Sequence, residues 1–436
     1  MTPGRLATLR DRANGLLRND ALMRIAANSG WLLGDRLVRA ALGFFIGALV
    51  ARYLGPADFG HYAYVLTFIA FFQAVAMLGT DNIVVRDIAR DPDVAPAILG
   101  STLRLRLLAG MACWLAAVVL AALLDPQAHR TIAMTAIVGG VLVFQAADTV
   151  DLWFQSQSQS RRTVMAKLTA YLGTAGVKVV LVLVGAPLIA FVAAFLLDFG
   201  AAALALILAY RRFPTGARWR YDGLVARRLL RESWPFLLSG LSITVYIRID
   251  QIMLQALSGS YDVGIYAAAM PLSQIWQMIP TTLAISLAPV IARQKQAGNL
   301  AYENALRLAF RLFAGIALLV SLATMLAAPL LVPLIYGPAY LAAVPVLQIH
   351  VFGNVFVALG MAQSLWIANE GRGDLLLTQT LVGAAVALAG NWLLIPLYGP
   401  IGAAVAAVAA QFTAVLLVNL ALARPLFWLQ MGRRPG

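Results

Sequence analysis

The chain has 436 residues, of which 61% are hydrophobic and only 12% are charged. A soluble chain has about 45–50% apolar and about 25% charged residues, so a water-exposed surface cannot be built from this composition. The mean hydropathy is +0.81, and apolar runs long enough to cross about 30 Å of hydrocarbon recur along the whole chain. The composition therefore excludes a set of soluble domains and predicts an all-α polytopic membrane protein.

Hydrophobic runs predict twelve transmembrane helices, whose boundaries are good to a few residues. Of the 33 basic residues, 22 fall in the N-terminal segment, the even-numbered loops and the C-terminal tail, whereas only Arg52 and Arg130 fall in the opposite loops. Because basic residues favour the cytoplasmic side, we expect a multi-pass protein of the cell inner membrane with both termini in the cytoplasm. The predicted spans are residues 30–52, 60–80, 103–124, 131–152, 164–185, 187–209, 234–257, 263–292, 304–333, 339–368, 375–397 and 400–423.

Polar segments divide these spans into two predicted lobes. Residues 1–29 are predicted to form an amphipathic helix on the cytoplasmic membrane surface, with a solvated tail as the alternative. Residues 211–233 form a basic cytoplasmic linker whose arginines orient the protein or contact anionic lipid headgroups. The linker separates an N-lobe, 30–210, from a C-lobe, 234–424, and residues 425–436 form a cytoplasmic tail.

Two pairs of short segments indicate an internal repeat. Asp58–Ala63 resembles Asp262–Ala267 at an offset of 204, and Val184–Ala190 resembles Leu397–Ala403 at an offset of 213. Span 1 therefore corresponds to span 7, and span 6 to span 12. Since six is even, this is a parallel duplication about an axis along the membrane normal.

The end of the first span resembles a known family. Residues 51–62, Ala-Arg-Tyr-Leu-Gly-Pro-Ala-Asp-Phe-Gly-His-Tyr, are similar to the hallmark of Wzx-type polysaccharide flippases of the multidrug/oligosaccharidyl-lipid/polysaccharide (MOP) exporter superfamily. The Trp-Phe-Gln sequence at 153–155 is similar as well, so the resemblance covers about residues 28–424. It implies two six-helix lobes that form a V around a central cavity, alternating access, and a polyprenyl-diphosphate-linked oligosaccharide as cargo. Within this stretch, Gly55-Pro56 should end the first helix, because proline cannot continue the hydrogen-bond ladder.

The same layout leaves alternatives open. Cation-coupled multidrug exporters and lipid II exporters share it, although some lipid II relatives have fourteen spans. A polymerase or glycosyltransferase would need a large extramembrane loop, and the longest loop predicted here has about 23 residues. The expected partners are the lipid-linked oligosaccharide and membrane lipids, with a polysaccharide polymerase, a chain-length regulator and a coupling H⁺ or Na⁺ as further candidates.

Other classes of function are not indicated. The net charge is +14, but the arginines mark one side of the membrane and form no nucleic-acid patch, so no nucleic-acid partner is expected. Cys113 is the single cysteine and the three histidines show no ligand spacing, so we expect neither a metal nor a cofactor. No nucleotide-binding loop or catalytic motif occurs, and we expect no enzymatic activity.

Charges inside the predicted spans are the main site candidates, because an ionised side chain at mid-bilayer costs about 2.5–3.5 kcal/mol on insertion scales and usually faces water or a partner. Asp35, Arg36 and Arg39 lie in span 1, and Arg248 and Asp250 lie in span 7. Arginine stays charged and binds phosphate oxygens through a planar fork, so the three arginines are predicted to bind the diphosphate, with Asp35 and Asp250 beside them at the cavity walls. As alternatives, Arg36 snorkels to the interface and Asp35 pairs structurally with Arg39.

Two further groups of charged residues have alternative roles. Lys178 and Asp198 are predicted to form an ion pair within the N-lobe, with Asp198 as a proton or sodium site as the alternative. Four residues near predicted cytoplasmic mouths gate entry or fix helix ends, and these are Arg307, Arg311, Asp148 and Asp151.

Overall fold

The computed structural model describes the backbone of residues 3–213 and 218–433, and from residue 30 onward the side chains of these ranges except Leu32, Leu33 and Arg36. Every regular element in the described ranges is helical, which confirms the predicted all-α class. The α-helices are α1 Pro3–Ala76, α2 Asp81–Arg90, α3 Ala95–Leu124, α4 His129–Gly139, α5 Val141–Phe144, α6 Asp148–Ser156, α7 Ser160–Leu183, α8 Leu188–Arg212, α9 Gly223–Leu257, α10 Ser260–Gln274, α11 Met278–Ala297, α12 Asn299–Tyr336, α13 Ala343–His350, α14 Gly353–Glu370, α15 Gly373–Phe412, α16 Val418–Leu422 and α17 Arg424–Gln430.

Ten helical stretches in the described chain are long and apolar enough to cross a membrane, so this is a multi-pass membrane protein. Two of them, Leu37–Arg90 and Gly373–Leu422, contain 54 and 50 residues, whereas one crossing needs about 20. Each is interrupted by a glycine with non-helical geometry, Gly55 with φ 74° and Gly399 with φ 54°. When these two stretches are each divided at their glycine, the ten stretches become twelve crossings. The number twelve stays a prediction.

Short 3-10 turns break several of the long helices. Gln145–Ala147 joins α5 to α6, and Ile275–Gln277 joins α10 to α11. Within a bilayer, irregular backbone is tolerated only where it is buried in protein or lines a cavity. These breaks therefore indicate positions where buried polar residues or a cavity are expected.

The chain packs into two compact units. Unit 1 consists of Met1–Ile46 and Phe72–Gly240, and unit 2 consists of Gly47–Phe71 and Leu241–Gly436. The second half of α1 thus packs with the second half of the chain. The lobes predicted on either side of the linker, residues 30–210 and 234–424, stay a prediction.

In unit 2, α12 shows how the apolar sequence is used. Leu306, Phe310 and Phe313 recur at helical spacing and are buried against α14 and α17. Leu319 and Leu326 lie on other faces and are 70% and 76% exposed. Exposed leucines at this density are stable only against lipid, so the helix has one protein-facing stripe and an outer surface suited to hydrocarbon.

Side-chain amides hold the short C-terminal helix α17 in place. Asn419 Nδ2 donates to Gln430 Oε1 at 3.1 Å, and Gln430 Nε2 donates to Gln363 Oε1 at 3.0 Å. Gln379 completes the network, because its Nε2 donates to Asn419 Oδ1 at 2.6 Å. All four side chains are buried, and mutual hydrogen bonding removes the cost of burying their polar atoms.

The repeated motifs meet each other inside unit 2. A Cβ atom on Gly60 would overlap the carbonyl oxygen of Ser260, and one on Gly264 would overlap that of Pro56. Both glycines and both carbonyls are related by the 204-residue offset of the repeat. The two copies therefore cross through equivalent surfaces, and only glycine allows this approach.

Within unit 2, Tyr340 fixes the part of α1 that precedes Gly55. Its hydroxyl donates to the carbonyl oxygen of Ala51 at 2.7 Å, and its ring packs edge-on against Phe59.

Candidate functional site

Arg39 is held by Asp35 in unit 1. The two residues lie one turn apart on α1, and Arg39 Nε donates to Asp35 Oδ1 at 2.6 Å. The Arg39 side chain is 27% exposed, yet its Nη2 atom is buried and has no hydrogen-bond partner among the described side chains. A buried donor without a partner costs about 1–3 kcal/mol, so this guanidinium is suited to bind an anionic ligand that accepts its hydrogen bond.

Tyr171 of α7 orients the same guanidinium. The centre of its ring lies 5.4 Å from Arg39 Cζ, within the range of a cation–π contact. One turn further along α1, a Cβ atom on Gly43 would lie 3.1 Å from the Tyr171 hydroxyl oxygen. Glycine at this position therefore makes room for the tyrosine beside Arg39.

A second charge pair lies near the first. Lys178 of α7 forms an ion pair with Asp198 of α8, and their side chains are only 12% and 13% exposed. Tyr171, which contacts Arg39, lies on the same helix as Lys178 and about two turns from it, so α7 joins the two pairs. We call Asp35, Arg39, Tyr171, Lys178 and Asp198 the unit 1 charge cluster.

The acids near the predicted cytoplasmic mouth of α6 share one lysine. Lys167 Nζ lies 2.6 Å from Asp148 Oδ1 and 2.8 Å from Asp151 Oδ2. This arrangement ties α6 to α7. A gating role for the two acids stays a prediction.

The predicted basic gate residues have separate surroundings. Arg307 donates to Asn304 on its own helix. Arg311 lies against the C-terminal segment, because a Cβ atom on Gly432 would be 3.3 Å from its Nη2. Arg36 lies outside the described side chains.

Arg248 and Asp250 of α9 have different surroundings. Asp250 is buried, and it accepts hydrogen bonds from the Tyr266 hydroxyl and, at 2.8 Å, from the backbone N–H of Gln251. Arg248 is exposed. Residues two apart on a helix do not face each other, so the shared span does not make them one site.

Asp250 belongs instead to a group of polar residues that the sequence reasoning missed. Ser273 Oγ lies 2.8 Å from His350 Nδ1. Asn354 Nδ2 donates to the Ser273 carbonyl at 2.7 Å, and Gln277 Nε2 donates to Asn354 Oδ1 at 3.2 Å. The helix breaks after α10 and α13 lie beside these residues. In the sequence, polar residues next to such breaks were the signal that could have indicated this group.

These groups surround a cavity of about 320 Å³ that lies within unit 2. We call it the unit 2 polar pocket. No cluster of three or more histidine, cysteine or acidic side chains suited to a metal ion occurs in the part of the chain that the structure describes. The polar residues at the pocket include Asp250, Gln277, His350, Asn354, Asn391 and Gln411.

Comparison with known families identifies the class of protein. The family model described as "Polysaccharide biosynthesis protein" matches residues 25–295, well over half of the chain. The chain belongs to the polysaccharide biosynthesis protein family. A second family model, MatE, matches residues 235–393, and no curated protein sequence matches the chain.

Solved structures share the fold. A multidrug resistance MATE family transporter of the MOP superfamily, inward-facing, superposes with a TM-score of 0.72 at 17% identity, covering 90% of this chain and 96% of that chain. The lipid II flippase MurJ, in an inward closed conformation, gives a TM-score of 0.70 at 13% identity, covering 91% and 89%. A MOP superfamily transporter from Pyrococcus furiosus gives 0.61 at 17% identity, covering 93% and 96%.

Family and fold together confirm the predicted membership of the MOP superfamily. The protein is a membrane transporter, and its family and structural neighbours are transporters and flippases rather than enzymes.

Proposed function

We propose that this protein is a flippase that moves a polyprenyl-diphosphate-linked oligosaccharide, the repeat unit of O-antigen or of an exopolysaccharide, outward across the inner membrane by alternating access. The family description supports a role in polysaccharide biosynthesis. The positive-inside distribution of arginine supports cytoplasmic termini.

The proposal rests on the surroundings of Arg39. Its guanidinium is oriented by Asp35 and Tyr171, is partly accessible, and keeps one buried N–H group without a partner among the described residues. An arginine fork binds two phosphate oxygens at once and cannot lose its charge in a cavity. A diphosphate would supply the missing acceptor.

The membrane potential gives the transport a direction. Moving a negative charge out of a negative-inside cell is favoured by about 2.3 kcal/mol per charge per 100 mV. Lys178 already neutralises Asp198, so a coupling H⁺ or Na⁺ at Asp198 would have to displace the lysine. We therefore assign this pair a structural role, and potential alone suffices to bias export.

The test replaces Arg39 in a host strain from which the gene has been deleted. Arg39→Ala should abolish surface polysaccharide because the diphosphate loses its fork, and Arg39→Lys should restore only part of it because the charge returns without the planar geometry. Surface polysaccharide is quantified by gel and immunoblot, with membrane protein measured in the same cells. Arg293→Ala, at an exposed arginine of α11, is the matched control and should behave as wild type.

Normal polysaccharide in Arg39→Ala cells with wild-type protein levels would remove the basis of the proposal. Loss of polysaccharide in Arg293→Ala cells as well would show that any arginine loss is harmful and would equally count against a specific role for Arg39.

A cation-coupled multidrug or lipid II exporter is the second candidate. The MatE match to residues 235–393 favours it. A cationic drug would be repelled by Arg39, whereas Asp250 in unit 2 would attract it. Expression in an efflux-deficient host should leave ethidium resistance unchanged if the first proposal holds, and increased resistance would favour the second candidate.

A further inference from the structure

The unit 2 polar pocket differs in chemistry from a phosphate site. Among the residues that the structure describes, its lining includes one carboxylate, Asp250, and one imidazole, His350, but neither lysine nor arginine. The other hydrogen-bonding groups are neutral amides and a tyrosine. A diphosphate placed here would meet the carboxylate with no basic side chain among the described lining residues, so the pocket disfavours anions.

The volume of the pocket also disfavours a lone cation. A water molecule occupies about 30 Å³ in the liquid, whereas the pocket measures about 320 Å³. Asp250 already accepts hydrogen bonds from the Tyr266 hydroxyl and the Gln251 N–H. Most of the cavity would therefore be left to water if only an ion were bound, and a ligand of several polar groups fits it better.

One lining group lacks a partner. The Oδ1 atom of Asn391 is buried and has no hydrogen-bond partner in the described structure, and the residue is only 1% exposed. A second lining amide, Asn354, is held in a fixed orientation by Ser273 and Gln277. A buried acceptor without a donor is unfavourable, so Asn391 is matched to a ligand that brings an O–H or N–H group.

We propose that the unit 2 polar pocket binds an uncharged sugar residue of the lipid-linked oligosaccharide. This inference rests on the proposed flippase function and adds to it a recognition site for the glycan, separate from the residues that bind the diphosphate. Amides suit this ligand because each presents both donors and an acceptor to hydroxyl and acetamido groups. Asn391 accepts from the sugar, Asn354 fixes its orientation, and Asp250 excludes acidic sugars.

The test compares two probe lipids on the full-length protein in nanodiscs. One is undecaprenyl diphosphate, and the other is undecaprenyl diphosphate bearing one N-acetylglucosamine. Native mass spectrometry measures both affinities. Wild type should bind the sugar-bearing lipid at least about tenfold more tightly, because several hydrogen bonds are added to a pre-formed site.

Asn391→Leu and Asn354→Leu should bring this ratio close to one while leaving the affinity for undecaprenyl diphosphate unchanged. The matched control is Asn369→Leu, the same substitution on α14 at about 22 Å from Asn354 along the helix, and it should keep the wild-type ratio. Retained binding of undecaprenyl diphosphate shows that each variant is folded.

A lipid that bears glucuronic acid in place of N-acetylglucosamine tests the exclusion of charge. Wild type should bind it more weakly than the neutral lipid, and Asp250→Asn should remove this difference.

The outcomes separate the two proposals. Equal affinity of wild type for the two probe lipids, or an unchanged ratio in both Asn391→Leu and Asn354→Leu, overturns the sugar site and leaves the flippase proposal intact. Failure of wild type to bind either lipid overturns the flippase proposal and the sugar site with it. Free N-acetylglucosamine that competes as well as the lipid would show a soluble-sugar site and would also overturn the assignment to the lipid-linked glycan.

Discussion

The two units of this transporter solve the burial of charge differently. Unit 1 pairs opposite charges, Arg39 with Asp35 and Lys178 with Asp198. In unit 2, buried Asp250 is stabilised by neutral donors instead, the Tyr266 hydroxyl and a backbone N–H. Removal of one member of an ion pair leaves the other charge without a partner. Removal of a neutral donor leaves its acceptor with only one hydrogen bond fewer. Mutations in the two units should therefore differ in the stability they cost and in the second mutation that restores it.

The largest effect is expected at the Lys178–Asp198 pair of unit 1, whose side chains are 12% and 13% exposed. Asp198→Ala leaves Lys178 charged and without its partner, which should destabilise the protein by about 3–5 kcal/mol. Thermal unfolding in detergent, followed by intrinsic fluorescence, measures the loss. Removal of both charges in Lys178→Met/Asp198→Leu should restore most of the stability, because no isolated charge remains.

The double variant also decides the role of the pair. If the pair is structural, the stable double variant should still export polysaccharide. A double variant that is stable but inactive in export would make Asp198 a coupling site and would contradict the structural assignment.

A smaller effect is expected in unit 2. Tyr266→Phe removes the hydroxyl that donates to Asp250, and an unfilled hydrogen bond at a buried group should cost about 1–3 kcal/mol. The same unfolding measurement applies, with Tyr398→Phe at an exposed tyrosine of α15 as the control. A loss as large as that of Asp198→Ala would show that neutral donors and ion pairs do not differ here as we infer.

The smallest effect concerns the space beside Arg39. Gly43→Ala should gain helix propensity but crowd the Tyr171 hydroxyl, whereas in a Tyr171→Phe background the crowding atom is absent. We expect Gly43→Ala to be more stabilising in the Tyr171→Phe background than in wild type by about 0.5 kcal/mol, the lower range for residues in contact. Additive effects in this double-mutant cycle would mean that the tyrosine moves freely and does not orient Arg39.

Local geometry explains how much of unit 1 could be predicted. The composition determined the helical membrane class, and spacing of four residues makes Asp35 and Arg39 neighbours on any α-helix. Tyr171 lies 132 residues beyond Arg39 in the sequence, and no local pattern indicates their contact. It depends on the packing of α7 against α1.

The same reasoning applies to the two charges of α9 in unit 2, whose part in binding the diphosphate stays a prediction. Arg248 and Asp250 share a span, but helix rotation gives them different surroundings, one exposed and the other buried. The residues that do join Asp250 at the pocket come from α10, α13, α14 and α15. Isolated polar residues in apolar spans, such as Asn354 and Asn391, were the only indication, and their convergence required the tertiary structure.

The crossing of Gly60 with Gly264 has a consequence for assembly during synthesis. The segment Gly47–Phe71 emerges early but packs with residues that are made after position 241. A half-length product that ends before the second repeat would expose a glycine surface with nothing to cover it. We therefore expect neither half of the gene to encode an autonomous folding unit, and expect two separately expressed halves to accumulate only when they are produced in the same cell.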